Sequence, residues 1–220
     1  MNEYSFIKIP KDTEVTMPQT SNQTRKSNKY QQILEAAIKI FARQGYFNAT
    51  ISQIAKEAGV ADGTIYLYFQ GKEDILNHFF WYKTGHIFER FQKEVNKADN
   101  SLDKLRTLIY RHLLEFESDR DMAVVYQVET RLRRRLSDQR VKEMSNMYFD
   151  LLAKIIRQGQ NEGMIRNDLP ITLVKQTIIG AVDEVITTWL YSSRQYELLS
   201  MADPLVDILI KGIGQEPRFF

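Results

Sequence analysis

The sequence predicts an all-α protein, on three observations. Apolar residues recur at spacings of three and four from Tyr30 almost to the C-terminus, the repeat of helices with one buried face. No segment alternates apolar and polar residues convincingly with a period of two, so no strand is expected. Gly45, Gly59, Gly163 and Pro170 fall between the periodic runs, where helices stop and start.

Residues 1–28 hold two prolines, many polar residues and little apolar periodicity, and read as a flexible tail ending in the basic stretch "TRKSNK". Ile33, Leu34, Ala37, Ile38 and Phe41 define a first helix that Gly45 ends. Thr50 stands three residues before Gln53, the spacing of a capping box, and opens a second helix whose Ile51, Ile54, Ala55 and Ala58 face inward and which stops at Gly59. A third short helix, around Gly63 to Phe69, follows after a tight turn, so the pair has the helix-turn-helix arrangement. Ile75, Leu76, Phe79, Phe80, Ile87, Phe88, Phe91 and Val95 give a long helix from Lys72. Ser101 is expected to cap the next, with Leu102, Leu105, Ile109, Leu113 and Phe116 inward. Further helices are expected over 120–136, 138–161, from Asp168 and Pro170 to about Tyr191, and over 196–212.

Charge is uneven along the chain. The formal net charge is +2, yet residues 24–72 carry seven basic and three acidic side chains, whereas residues 73–220 carry 21 and 22. A basic N-terminal part on a neutral body points to nucleic acid, although a solvated surface explains the charge alone. There is no cysteine, which excludes disulfides and thiol chemistry and suits a reducing, intracellular setting. No apolar run is long enough to span a bilayer, and the N-terminus lacks a secretory pattern. His78 and His86 are eight residues apart, which is not a metal-ligand spacing. With His112 they form no Ser-His-Asp arrangement, and no phosphate loop stands out, so neither an enzyme nor a metal site is expected.

The stretch "GVADGTIYLYFQGKEDIL" carries the sharpest signal. Tyr66, Tyr68 and Phe69 cannot share one face of a helix, so some of these rings must be exposed. From Lys29 to Leu76 the order of helix, capped helix, glycine turn, "GTIYLYF", lysine and long helix resembles the N-terminal domain of TetR-family transcriptional regulators. Gly45, Thr50, Ile54, Ala55, Ala58, Gly59, Val60, Gly63, Tyr66, Phe69 and Lys72 stand where that motif expects them. The stretches "GVADGTIYLYF", "KEDIL" and "IIGAVDEVITTWLYSSRQYEL" resemble, more narrowly, the fatty-acyl-CoA-responsive repressors within it.

The resemblance implies a DNA-binding domain over 29–72 and an effector-binding and dimerisation domain over 73–220, working on double-stranded palindromic operator DNA in a bacterial cytoplasm. It gives the odd composition a purpose, because the second helix of such a motif enters the major groove. Gly63 lets backbone approach DNA closely, Thr64 offers a hydroxyl or a methyl, and Tyr66 and Tyr68 offer phenol hydroxyls, while Ile65 and Phe69 hold the helix down. Lys72 is expected to meet a phosphate, and Thr50 to meet another at a helix N-terminus. For Tyr66 a half-buried structural role is the alternative, and for Lys72 a solvated one. Ala61 departs from the Ser or Thr that many relatives carry there, which would pass the helix cap to Asp62.

For the larger domain the resemblance implies a homodimer through the helices near 170–192 and 196–212. Their Val174, Ile178, Ile179, Val182, Ile186, Trp189, Leu198, Leu205, Ile208 and Leu209 are candidates for the interface or for their own core. Asp183 and Glu184, set inside this run, are read as paired or interfacial rather than catalytic. The expected effector is long-chain fatty acyl-CoA, with no cofactor. Phe80, Phe88, Phe116, Tyr126 and Tyr148 are candidate walls for an acyl chain, together with Phe79, Phe91, Phe149 and Trp189, although a packed core explains most of them. Arg131, Arg133 and Arg134, in "RLRRRL", are candidates for the phosphates of coenzyme A, with Arg106 and Arg111 behind them. A solvated helix surface is the bland alternative for the cluster. The rival function is a multidrug-responsive repressor of efflux genes with a promiscuous aromatic pocket.

Overall fold

A computed structural model describes residues 21–133, 139–194 and 196–214, with the side chains of 28–83, 85–127, 146–194 and 196–214. Its architecture is helical throughout. The order is α1 (Ser21–Gln44), α2 (Ile51–Glu57), α3 (Asp62–Ile65), α4 (Lys72–Val95), α5 (Ser101–Ser118), α6 (Arg120–Arg133), α7 (Gln139–Asn161), α8 (Ile171–Tyr191) and α9 (Ala202–Ile213). Residues 134–138, between α6 and α7 and including the arginines 134 and 135, lie outside the described residues.

The first three helices and the start of α4 make a small head. Ile33, Leu34, Ala37, Ile38 and Phe41 of α1 are all buried, as their spacing predicts, against Ile54, Ala55 and Ala58 of α2, Ile65 of α3 and Phe69. Burying a side chain such as Ile65 or Phe69 stabilises the head by about 1.5–3 kcal/mol, which is how a four-residue helix is held in place. Gly59 ends α2 at φ +63, with its N–H donating to the Lys56 carbonyl and that of Val60 to the Ala55 carbonyl. This paired closure needs a left-handed residue, which glycine adopts without steric cost.

The body is a bundle around α5, which touches α4, α6, α7, α8 and α9. Leu105, Leu108, Ile109, Leu113 and Phe116 of α5 are buried there. Helix α4 belongs to both parts: its start closes the head and its remainder packs on α5 and α7. Helix α1 also reaches α6, so the head is braced twice against the body. Among the described residues, no helix is long and apolar enough to cross a membrane.

Three expectations are corrected. Helix α1 begins at Ser21, inside the segment read as a tail, because 21–28 contain no proline or glycine to stop it, and weak apolar periodicity alone does not break a helix. Ser101 is the first residue of α5, not its cap. Asn100 caps, accepting a hydrogen bond from the Asp103 N–H, while Ser101 is fully buried with its N–H donating to Glu162 at 2.9 Å. The last helix starts at Ala202, after a 3-10 turn over Leu198–Met201, rather than at 196.

Candidate DNA-reading head and effector site

The capping box at Thr50 is formed. Its hydroxyl accepts from the Gln53 N–H at 3.3 Å, and the Gln53 amide oxygen accepts from the Thr50 N–H at 2.9 Å. Thr50 is exposed and keeps the N-terminus of α2 open to solvent. At α3 the N-cap is Ala61, with no side-chain hydrogen bond. Asp62 does not take over the cap, because its carboxylate accepts a hydrogen bond from the Ser52 hydroxyl of α2. The acid that would face phosphates is thus held against the neighbouring helix.

Around α3 and the turn after it, Gly63, Tyr66, Leu67 and Gln70 are exposed, whereas Thr64 and Tyr68 are half-buried. Tyr66 keeps 60% of its surface accessible and Leu67 78%, so Tyr66 is displayed rather than structural. Leu67, Gln70 and the exposed Phe47 of the α1–α2 loop were missed from sequence. A signal for two of them existed, since Gly63, Tyr66, Leu67 and Gln70 stand at i, i+3, i+4 and i+7, one face of a helix. Tyr68 packs beside Phe69, with ring centroids 6.5 Å apart.

Lys72 is held within the head. Its ammonium donates to the carbonyls of Tyr46, Phe47 and Ala49 at 2.9, 3.0 and 3.0 Å and sits 4.7 Å from the centroid of the Tyr46 ring. An ammonium has three N–H donors, and all three are engaged. Lys72 ties the start of α4 to the loop that delivers Thr50. A second tie stands behind the reading turn. The Gln70 N–H donates to Asp74 at 2.9 Å, Asp74 lies 3.4 Å from His78 Nε2, and His78 Nδ1 shares a 2.8 Å hydrogen bond with the Tyr30 hydroxyl. Tyr30 stacks on Phe69 at 5.1 Å. Its burial, and then the nearby Asp74 charge, push its hydroxyl up to about 12.

In the body, the structure brings Phe80, Phe116, Tyr126 and Tyr148 together. Tyr126 meets Phe116 at 5.3 Å and Phe80 at 5.7 Å, and His112 links Phe116 to Tyr148 at 4.9 and 5.2 Å. His112 Nδ1 shares a 2.9 Å hydrogen bond with the Tyr148 hydroxyl. Burial lowers the imidazole to about 4, so it is neutral. Tyr126 is raised to about 12 and Tyr148 further, by burial first and then by the charge of Asp183. Phe88 stands apart, on the wall of a cleft of about 430 Å³ between α4, α5 and α7 that Lys104 and Lys154 also line.

The arginine candidates divide. Arg131 and Arg133 end α6, with side chains outside the described residues, and Arg134 lies outside them altogether. Arg106 pairs with Asp103 at 2.9 Å and Arg111 with Glu94 at 3.2 Å, which engages both in surface ion pairs. Trp189 is structural: its Nε1 donates to the Tyr196 carbonyl at 3.0 Å, and the Arg120 guanidinium covers its ring at 4.5 Å.

Helix α8 separates two stripes. Val174, Ile178, Val182, Ile186 and Trp189 are buried in the subunit's own core, as are Leu198, Leu205 and Leu209 beyond it. The outward stripe is Leu173, Thr177, Gly180, Glu184, Thr188 and Tyr191, joined by Ile208 of α9. Tyr191 is 70% exposed and Ile208 68%.

Residues 33–79 match the family model of bacterial regulatory proteins, tetR family, and residues 80–212 match that of the YsiA-like protein C-terminal region. The chain is 36% identical over 189 residues to the fatty acid metabolism regulator protein of Bacillus subtilis, an alignment spanning 86% of this chain and 97% of that one. It is 29% identical over 188 residues to the transcriptional repressor KstR2 of Mycolicibacterium smegmatis, covering 82% and 84%. Among solved structures, the regulator FadR of Bacillus subtilis in complex with stearoyl-CoA superposes with a TM-score of 0.76 at 36% identity, covering 84% of this chain and 99% of that one.

Proposed function

The chain belongs to the tetR family of bacterial regulatory proteins, and from that premise we propose that it is a homodimeric repressor which long-chain fatty acyl-CoA releases from a palindromic operator. The observation that carries this reading is the 36% identity, across 84% of this chain and 99% of the other, to a regulator solved with stearoyl-CoA. The geometry supports it at each end. The head displays Gly63, Tyr66 and Leu67 with Thr64 at their side, on a turn fixed from behind by Asp74, His78 and Tyr30. The open N-terminus of α2 at Thr50 suits a phosphate. Two heads are needed, since one short helix reads few base pairs, and the outward stripe of α8 with Ile208 offers the surface for a second copy.

Inside the body, we assign Phe80, Phe116, Tyr126 and Tyr148 as the walls for the acyl chain, and Arg131, Arg133 and Arg134 as the partners of the coenzyme phosphates. Release follows from linkage. A ligand that binds best when the heads are wrongly spaced must weaken DNA binding, and DNA must weaken ligand binding by the same factor. Helix α4 carries the coupling, because it bears the wall Phe80 and, through Lys72, the loop of the head.

The test is operator affinity titrated with acyl-CoAs and free fatty acids of increasing chain length. Release should strengthen by roughly fourfold per added methylene, from about 0.8 kcal/mol each, until the site is full. Release by aromatic cations and by no acyl-CoA would turn the reading to an efflux-type repressor.

A further inference from the structure

Phe47, in the loop between α1 and α2, is 74% exposed, and among the described residues it is the one phenylalanine on the surface. A single exposed apolar side chain is ordinary. What sets Phe47 apart is the loop that carries it, which is pinned along its length. The Asn48 amide donates to the Gln44 carbonyl at 3.0 Å, and the Gln44 amide donates back to the Asn48 carbonyl at 3.2 Å. The Ala49 N–H donates to the Gly45 carbonyl at 3.2 Å, and Lys72 holds the carbonyls of Tyr46, Phe47 and Ala49. The Tyr46 ring packs 5.4 Å from the buried Phe41, and the Phe47 ring stands edge-on to Tyr46 at 5.5 Å. A loop fixed at so many points holds its ring ready, so little ordering entropy opposes a contact made there.

That contact lies at the edge of the reading head. Phe47 stands three residues before Thr50, which opens α2. Its carbonyl is 3.0 Å from the ammonium of Lys72, the residue that starts α4 just beyond the reading turn. One lysine side chain thus spans from Phe47 to the exit of the turn that displays Tyr66 and Leu67. Resting on the operator reading above, we propose that Phe47 packs against the DNA backbone, its ring on a deoxyribose beside the phosphate that Thr50 meets. The first helix of a helix-turn-helix crosses the backbone while the second enters the groove, so a residue at the entrance to α2 meets backbone and not base edges. The ring carries no charge and no hydrogen-bond donor for a phosphate, whereas its apolar surface suits the C–H groups of a sugar. Contacts of this kind fix the register of a protein on the duplex without reading its sequence. Phe47 therefore seats the head, and the residues around α3 read.

The test uses the full-length protein and a duplex selected by it from random sequence, in a short form with one operator and a longer form with two adjacent operators. Binding is followed by fluorescence anisotropy across a range of salt. Phe47→Ala should lose about tenfold in affinity on the short duplex, near the lower value for burying a phenylalanine. The loss should be the same for the operator and for its base-substituted variants. The salt slope should stay as it is, because an uncharged ring releases no counterion, and the Tm should not fall. Phe47→Lys puts a charge where the ring was and should steepen the salt slope by about 0.9 for each phosphate reached. Native affinity in Phe47→Ala overturns the proposal, as does an unchanged slope in Phe47→Lys. A lower Tm that accompanies the loss of affinity would make the ring a brace of its loop and overturns it too. A defect seen only on the longer duplex would assign the ring to a contact between neighbouring dimers, again overturning the DNA contact. All of these leave the operator reading standing. Selection of no sequence by the native protein would remove that reading, and the proposal with it.

Discussion

Lys72 shows how a side chain singled out by a motif can be engaged inside the protein itself. Its position at the start of α4 suggests a phosphate contact, but three carbonyls converge on it first. Lys72→Met should cost about 2 kcal/mol of stability, since it strands acceptors that a charged donor now serves, and operator affinity should fall with it. Arginine should rescue poorly, because a planar fork does not match three converging oxygens. A Lys72→Met protein with an unchanged Tm, and a salt slope smaller by about 0.9, would restore the phosphate role. His112 makes a second prediction at this scale. Its folded value of about 4 lies below the ordinary 6.5, so between those values the unfolded chain binds the extra proton and stability rises with pH. The contribution is complete above 6.5 and is lost as pH falls toward 4, amounting to roughly 3 kcal/mol at most. Denaturant midpoints measured across this window should show the slope, and His112→Gln should flatten it.

Helix α3 is too short to hold itself together, and its character comes from what flanks it. Ile65 and Phe69 anchor it, Ser52 holds Asp62 aside, and the turn through Gln70 is closed by Asp74. Gly63 is unstrained, and a methyl group built on it meets nothing within 4 Å. Gly63→Ala should therefore fold at least as well as the native chain, gaining up to about 1 kcal/mol in helix propensity, while binding the operator less well because the lost space belongs to DNA. Equal operator affinity in that variant would remove close approach as the purpose of the glycine. Ser52→Ala should also weaken operator binding with little change in Tm, by freeing the Asp62 carboxylate toward phosphates. That loss should shrink as salt is added.

At the scale of the molecule, the proposed dimer would pair its heads through the outward face of α8 and α9. Tyr191 and Ile208 are exposed in the single subunit, so charges placed there should leave its fold intact and break the dimer. Tyr191→Glu combined with Ile208→Asp should give a monomer in sedimentation, with a helical spectrum like the native one and a much reduced operator affinity. A double variant that stays dimeric would move the interface elsewhere. On the acyl-CoA reading proposed above, the coupling of dimer, head and body runs along α4, so that a ligand among its aromatic residues reaches the operator without touching it.

Much of this protein can be read along the chain, for a physical reason. Helical periodicity, capping boxes and glycine stops are local, so α2, α4, the end of α1 and the stop at Gly59 stand close to where the spacing puts them, and the motif from Gly59 to Lys72 identifies the reading head. Contacts between distant residues leave no such mark. Nothing near Lys72 announces the carbonyls of Tyr46, Phe47 and Ala49, and nothing near Asp62 announces Ser52. Apolar residues on α8 look alike in sequence, whether they fill their own core, as Val174 and Ile178 do, or lie on the outside, as Leu173 and Tyr191 do. Which of two adjacent stripes is covered depends on where α5, α6 and α9 lie, and that is settled only when the bundle closes.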